Sequence, residues 1–156
     1  MLFSKSGLTA ILGLLLALPM AGQSRYDRLV FHYLKLSSAL SRSDFRQAAA
    51  QAAKLNSQCR ENGPQNLVAA AENLQKAADL NSLREAFSPF SDSLSLCLRN
   101  GKIKAAEKLF LVHCPMAFND RGADWISDEP KVINPYFGDE MLHCGRVKET
   151  LSPEKK

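Results

Sequence analysis

Apolar residues recur at helical spacing in four successive runs between Arg25 and about Asn100, and this pattern restricts the fold more than any other feature of the chain. Residues that start or stop helices separate and end the runs: Ser43-Asp44, Asn62-Gly63-Pro64, Asn81-Ser82 and Asn100-Gly101. Four helices of about 15 to 20 residues with short connections predict a mainly α fold, an antiparallel four-helix bundle. Pro89 lies inside the fourth run and predicts a local bend there.

Helical spacing is lost after Gly101, where proline, glycine and aromatic residues become frequent. Such a segment cannot form one long helix, and the run 109–112 is compatible with a short strand. We therefore expect an irregular C-terminal cap with short strands or turns. Its aromatic residues Trp125, Tyr136 and Phe137 are expected to pack as core rather than to form a lid over a site.

The first residues have the layout of a secretory signal peptide: one lysine, an apolar run over 8–20, and small residues at 21–22. We predict a cleaved signal peptide over 1–23, a single helical domain over 24–151 and a solvated tail over 152–156. The apolar run is short for a membrane span, although an uncleaved anchor is the alternative. The expected location is periplasmic or otherwise exported, without stable membrane insertion after cleavage.

Charge and motif content exclude several classes of function. The formal net charge is +4, and Lys and Arg occur throughout the chain with acidic residues among them, so no basic stripe for nucleic acid is recognisable. No Ser-His-Asp arrangement, glycine-rich phosphate loop or His-Glu-x-x-His motif is recognisable. We do not expect an enzyme.

Two short segments near the C-terminus, 113–116 and 141–144, mirror each other in composition. Each contains a thiol, a thioether and an imidazole within four positions. Soft sulfur donors select Cu(I) or Ag(I) over hard cations. A Cys-x-Met step on a strand and a Met-x-x-Cys step on a helical turn each place both donors on one side. The turn 134–138 can bring the second segment back to the first. The predicted metal ligands are Cys114, Met116, Met141 and Cys144.

The two histidines beside these cysteines are additional candidates for metal ligands. Imidazole would also admit Cu(II) or Zn²⁺. Side chains alternate along a strand, so His113 would face away from Cys114 if this segment is extended. His143 adjoins Cys144 in the same way. Both residues therefore stay open as ligands.

Export gives the four cysteines a second interpretation, because disulfides persist outside the cytoplasm. A Cys114–Cys144 disulfide would close a loop of about 30 residues and stabilise the fold by about 3–4 kcal/mol. Cys59 and Cys97 fall near the C-terminal ends of the second and fourth predicted helices, at the same end of an up-down bundle. They could form another disulfide or serve as buried apolar residues. A dithiol that binds metal when reduced and closes when oxidised would satisfy both interpretations of Cys114 and Cys144.

Four motifs of the C-terminal half occur in a characteristic order: Cys-Pro-Met-Ala at 114–117, Gly-Ala-Asp-Trp at 122–125, Asn-Pro-Tyr-Phe-Gly at 134–138 and Met-Leu-x-Cys-Gly at 141–145. In this they resemble a bacterial periplasmic family of unknown function. That domain also occurs fused to the C-terminus of adaptor subunits of copper/silver-type heavy-metal efflux pumps. The resemblance extends over roughly 26–149, with the helical half similar only in style. It implies a helical envelope domain linked to copper or silver, with its sulfur positions at Cys114, Met116, Met141 and Cys144.

Together these observations predict a periplasmic protein that binds Cu(I) or Ag(I) and either sequesters the ion or passes it to an efflux system. Its partner would be a metal-efflux adaptor or another envelope protein. The alternative is a disulfide-stapled helical interaction module of the cell envelope that binds no metal.

Overall fold

The computed structural model describes residues 25–151, so the predicted signal peptide and the predicted tail lie outside the described residues. The chain is mainly helical, with four long helices followed by a small three-stranded antiparallel sheet, which confirms the predicted class. The helices are α1 (Arg25–Ser41), α2 (Phe45–Asn62), α3 (Gln65–Lys76) and α4 (Leu80–Arg99), and the strands are β1 (Leu109–Cys114), β2 (Ala123–Ser127) and β3 (Arg146–Leu151). No helix within residues 25–151 combines the length and apolarity needed to cross a bilayer.

The helix boundaries follow the capping residues, with one correction. The Asp44 side chain accepts a hydrogen bond from the Gln47 amide at 3.0 Å and caps α2, as predicted. Helix α4 is capped by Asp79, so the prediction of Asn81 or Ser82 was wrong. The Asp79 side chain accepts a hydrogen bond from the Ser82 amide at 2.8 Å, and Ser82 Oγ accepts one from the Asp79 amide at 3.2 Å, so this reciprocal capping box satisfies two amides at once. Helix α4 then continues through Pro89 to Arg99.

The C-terminal part is more regular than the predicted irregular cap. Its strands are ordered β2-β1-β3, and the central β1 pairs antiparallel with both neighbours. Strand β3 gave little signal in the sequence because most of its residues are exposed, so apolar and polar positions do not alternate. Pairing with β1, whose partner residues lie 33 to 42 positions earlier, creates this strand.

The sheet is joined to the helices by a buried hydroxyl cluster. The Tyr33 hydroxyl on α1 lies 2.7 Å from Ser91 Oγ on α4 and accepts a hydrogen bond from the Ile126 amide of β2 at 3.0 Å. The outer edge of β2 is thereby covered by helices rather than left open. Trp125 and Tyr136 are buried with ring centroids 5.9 Å apart, so these aromatics form core, as predicted.

Candidate thiol site

The first thiol of the candidate site belongs to the central strand. Cys114 is the last residue of β1 and is fully buried. Its neighbour His113 is half-buried and pairs across the sheet with Asp124. Because successive side chains of a strand point to opposite faces, Cys114 points into the core and His113 points away from it.

The second thiol is positioned by a turn organised around a buried asparagine. The Asn134 side chain is fully buried; its amide nitrogen donates to the Cys144 carbonyl and its oxygen accepts from the Tyr136 amide, each at 2.8 Å. The main-chain N–H of Asn134 also donates to the Leu142 carbonyl at 2.7 Å. These bonds bind the turn 134–138 to the segment that carries Cys144, so this turn does bring the second segment back to the first.

Gly145 allows the close approach of the second segment to the sheet. Its φ of +139° lies in a region that disfavours side chains. A Cβ placed there would lie 2.9 Å from both the His113 carbonyl oxygen and Trp125 Cη2. A larger residue at 145 would therefore push Cys144 away from β1.

The result is a pair of thiols in contact. The Cys144 thiol lies within hydrogen-bonding reach of Cys114 and of the Met116 amide N–H. Burial and the hydrogen bond to Cys114 raise the pKa of Cys144 to about 11, against the opposing effect of the Met116 amide. Cys114 is fully buried, whereas Cys144 is partly accessible to solvent. The pair therefore has one inner thiol and one outer thiol, and the outer one is protonated at neutral pH.

Each thiol has one methionine close to it along the chain. Met116 is 48% exposed and begins a turn in which Phe118, Asn119 and Asp120 all have positive φ, between 54° and 61°. Met141 is half-buried, and its carbonyl accepts a hydrogen bond from the Cys144 amide at 3.0 Å. Among residues 25–151 no group of three or more Cys, His, Asp and Glu side chains is arranged to hold a metal. The soft donors on offer are the two contacting thiols and these thioethers.

The two histidines occupy different environments. His113 Nδ1 donates to Asp124 Oδ1 at 2.6 Å, and Lys148 Nζ donates to Asp124 Oδ2 at 2.8 Å. Burial acts to raise the pKa of Asp124, but these two bonds outweigh it and hold the pKa below its usual value. His113 is therefore engaged on the face opposite the thiols. No local sequence pattern marks Asp124 as its partner, because the contact depends on the register between β1 and β2.

His143 lies on the surface beside the outer thiol. Its Nδ1 is 2.9 Å from the Val132 carbonyl oxygen. A carbonyl can only accept, so Nδ1 carries the proton and, in the neutral ring, Nε2 carries the lone pair. Within the described residues no hydrogen bond occupies Nε2, which leaves this atom available to a ligand.

The other two cysteines lie together inside the helical part. Cys59 on α2 and Cys97 on α4 are 0% and 1% exposed. Burial, together with the proximity of Cys97, raises the pKa of Cys59 to about 12. The Asn66 amide contacts Cys97 Sγ at 3.6 Å. All four cysteines are free thiols in the structure, grouped as 59 with 97 and 114 with 144.

Comparison with known family models gives a match over the helical part of the chain. Residues 29–105 match the model of a family described as a protein of unknown function, DUF3347. This match spans the helices and ends before β1, so it covers just under half of the chain and does not include the sulfur motifs on which the family resemblance was based. No curated protein and no solved structure matches the chain.

Proposed function

We propose that this chain is a periplasmic protein that binds Cu(I) or Ag(I) between Cys114 and Cys144, and that it sequesters the ion or passes it to an efflux system. The observation that carries the proposal is the contact between the two thiols, one buried and one partly accessible. Thiolate and thioether ligands select soft monovalent ions such as Cu(I). A bound ion would replace the protons of the thiols. On the side of Cys114 it would be shielded from water, because that residue is fully buried.

Protonation of the outer thiol favours metal binding over spontaneous disulfide formation. A thiol whose pKa is about 11 is almost entirely protonated at neutral pH, and the thiolate is the form that attacks disulfides. Exchange with small disulfides is therefore slow at this site. A soft metal ion can displace the proton directly, since binding of a thiol ligand releases its proton.

The main chain around the thiols supports a metal-bound thiolate. The Met116 amide N–H aimed at Cys144 stabilises negative charge on that sulfur. The exposed Met116 thioether is free to turn toward the ion, and Met141 offers a second thioether. Thioether contacts would be the first to break when the ion passes to a partner, because a neutral thioether binds more weakly than a thiolate.

The helical part is the expected docking surface in this proposal. Consecutive helices contact each other, α1 with α2, α2 with α3 and α3 with α4. We propose that they form an antiparallel four-helix bundle. Its outer faces would meet a metal-efflux adaptor or another envelope protein.

A competition titration tests the metal proposal. Reduced protein, titrated under anaerobic conditions against a chromophoric Cu(I) chelator, is expected to bind about one Cu(I) per chain. The double variant Cys114→Ala/Cys144→Ala should lose this binding. The matched control Cys59→Ala/Cys97→Ala removes the same number of thiols and should retain it. Equal affinity in the two double variants would refute the proposed site.

The single tryptophan provides an independent signal for the same titration. Trp125 Cη2 approaches the Gly145 backbone, next to the outer thiol. Cu(I) or Ag(I) at Cys144 should therefore change the fluorescence of Trp125 with the same stoichiometry as chelator competition. The double variant lacking Cys114 and Cys144 should show no such change.

The thiol contact also favours a second candidate function, a disulfide-stapled interaction module without metal. Oxidation would link β1 to the segment 141–144 and fix both on the helices. Thiol counting on protein taken from its native compartment separates the two functions. Four free thiols, or two with a Cys59–Cys97 disulfide, support the metal site, whereas a Cys114–Cys144 disulfide in all molecules from cells grown without added copper supports the module.

A further inference from the structure

We propose that the Cys114–Cys144 dithiol also reduces Cu(II) to Cu(I), closing to a disulfide as it does so, with His143 as the residue that first binds Cu(II). This deepens the proposed function, because it adds a second oxidation state of the metal as substrate of the same thiols. Three features of the described residues carry it: the contact between the thiols, their unequal exposure and the free nitrogen of His143.

The unequal exposure sets the order of events. Cys144 is partly accessible, whereas Cys114 is fully buried. An aqueous ion therefore meets Cys144 first. Cys114 lies within hydrogen-bonding reach of Cys144, so a small side-chain movement brings the two sulfurs to bonding distance. The outer thiol would receive the oxidant, and the inner thiol would complete the disulfide.

His143 supplies a ligand that suits Cu(II). Imidazole nitrogen is a preferred ligand of that ion, whereas thiolate and thioether prefer Cu(I). The hydrogen bond from Nδ1 to the Val132 carbonyl fixes the tautomer and increases the donor strength of Nε2. His143 is exposed and directly precedes Cys144 in the chain. A Cu(II) ion held at Nε2 would thus be kept next to the outer thiol.

The reaction balances with two copper ions for each dithiol. The S–H bonds of Cys114 and Cys144 break, and both protons pass to solvent. One S–S bond forms, and the two electrons released by the sulfurs reduce two Cu(II) ions to two Cu(I) ions. No other oxidant or reductant takes part.

The other cysteine pair cannot carry out this reaction in the folded protein. Cys59 and Cys97 are 0% and 1% exposed, and the described residues place no histidine beside either of them along the chain. Copper in solution can reach them only when the helices open. This difference makes Cys59 and Cys97 an internal control for thiol oxidation.

The experiment mixes the reduced full-length chain with a Cu(II) salt under anaerobic conditions, in the presence of a Cu(I)-specific chromophore. We expect about two Cu(I) ions per chain and the loss of two thiols, in accord with the balanced two-electron reaction. Peptide mapping should place the disulfide between Cys114 and Cys144. Cys144→Ala should abolish the fast phase of Cu(I) formation. Because Cys144 is partly exposed, this variant should fold even if Cys114→Ala does not.

The role of His143 is tested by rate rather than by stoichiometry. His143→Gln should slow the fast phase about tenfold, while the final yield of Cu(I) stays the same. His32→Gln is the matched control, because His32 lies on α1 and bonds to Gln51. An unchanged rate in His143→Gln overturns the assigned role of His143, and a fast phase that survives Cys144→Ala overturns the reaction.

The two proposals fail in different experiments. A protein that binds Cu(I) in the chelator titration but leaves Cu(II) unreduced would overturn this inference and leave the proposed function standing. A protein that reduces Cu(II) with loss of two thiols but fails to bind Cu(I) would overturn the proposed function and leave this inference standing.

Discussion

The chain contains two pairs of neighbouring thiols, one in the helical part and one in the sheet part, and the pairs differ in solvent exposure and in the contacts that hold them in place. Cys59 and Cys97 are fully enclosed by helices, and the side-chain amide of Asn66 contacts Cys97. Cys114 and Cys144 contact each other, and one of them reaches solvent. The surroundings of a thiol pair, rather than its presence, therefore decide whether the pair only packs or takes part in chemistry.

The two pairs are also supported differently. Cys59 and Cys97 lie on α2 and α4, whose positions are set by apolar packing along their whole length. Cys144 lies on an irregular segment held by one asparagine side chain and by a glycine at positive φ. A site supported by few specific bonds can adjust to a bound ion, and it is correspondingly sensitive to loss of those bonds.

Thiol alkylation gives the largest contrast between the pairs. At pH 8 and in the folded state, Cys144 should react with iodoacetamide at least about tenfold faster than Cys59 or Cys97. Its pKa of about 11 leaves about one molecule in a thousand as thiolate, whereas the enclosed pair reacts only after an opening that costs about 5 kcal/mol or more. Mass spectrometry of peptides over a time course measures each rate. Comparable rates at Cys144 and Cys97 would remove the distinction between the pairs.

The support of the outer thiol can be removed through Asn134. Asn134→Ala leaves the Cys144 carbonyl and the Tyr136 amide without their partner in a buried place. Unpaired buried groups cost about 1–3 kcal/mol each, so we expect the free energy of unfolding to fall by about 3 kcal/mol and Cu(I) affinity to fall with it. Urea denaturation and chelator competition measure the two quantities.

Asn66→Ala is the corresponding change at the enclosed pair. Its amide donates to a sulfur at 3.6 Å, which is a weak bond, and the residue is exposed. We expect a loss below about 1 kcal/mol and unchanged Cu(I) affinity. If Asn66→Ala destabilised the protein as much as Asn134→Ala, the assigned difference in support would be incorrect.

Cu(I) affinity should depend on pH through the protonated outer thiol. The pKa of Cys144 is raised to about 11, so the proton is present throughout the neutral range and must leave when the ion binds. The apparent affinity should therefore rise with pH below that value, by about tenfold per pH unit for each proton released. Competition titrations at pH 6, 7 and 8 give the slope. If the affinity did not change with pH, no thiol proton would be displaced on binding.

Replacing the exposed thioether of Met116 should have the smallest effect on stability and on Cu(I) affinity. Met116→Leu conserves volume at a residue that is 48% exposed, so stability should change by less than about 0.5 kcal/mol. We expect Cu(I) affinity to fall several-fold and by no more than about tenfold, because a neutral sulfur contributes less than a thiolate. Phe31→Leu, at another exposed apolar residue, should leave affinity unchanged and serves as the control.

The helical part could be predicted from sequence because its signals are local. Apolar spacing and a capping residue such as Asp44 act within one or two turns, and α1 to α4 appear where the pattern placed them, although α3 has 12 residues rather than the predicted 15 to 20. The turn 134–138 was also foreseeable from its Asn-Pro and Phe-Gly steps. The cap of α4 was missed because Asn81, Ser82 and the earlier Asp79 are all suitable capping residues, and only the reciprocal bonds identify Asp79.

The sheet part could be predicted only in outline, because its structure depends on contacts between distant residues. Strand β3 and the Asp124 partner of His113 arise from register between strands, and no short motif encodes that register. In the sequence, the segments 113–116 and 141–144 look equivalent, because each contains one cysteine, one methionine and one histidine. The fold separates their histidines, with His113 on the opposite face of the sheet and His143 beside the outer thiol.

Copper X-ray absorption spectroscopy of the Cu(I)-loaded protein identifies the atoms that bind the ion. We predict a first coordination shell of sulfur in the wild type and in Cys59→Ala/Cys97→Ala, with two thiolates as the principal ligands. In Cys144→Ala this shell should be lost or replaced by nitrogen and oxygen. A shell without sulfur in the wild type, or an unchanged sulfur shell in Cys144→Ala, would contradict the assignment of the metal to Cys114 and Cys144.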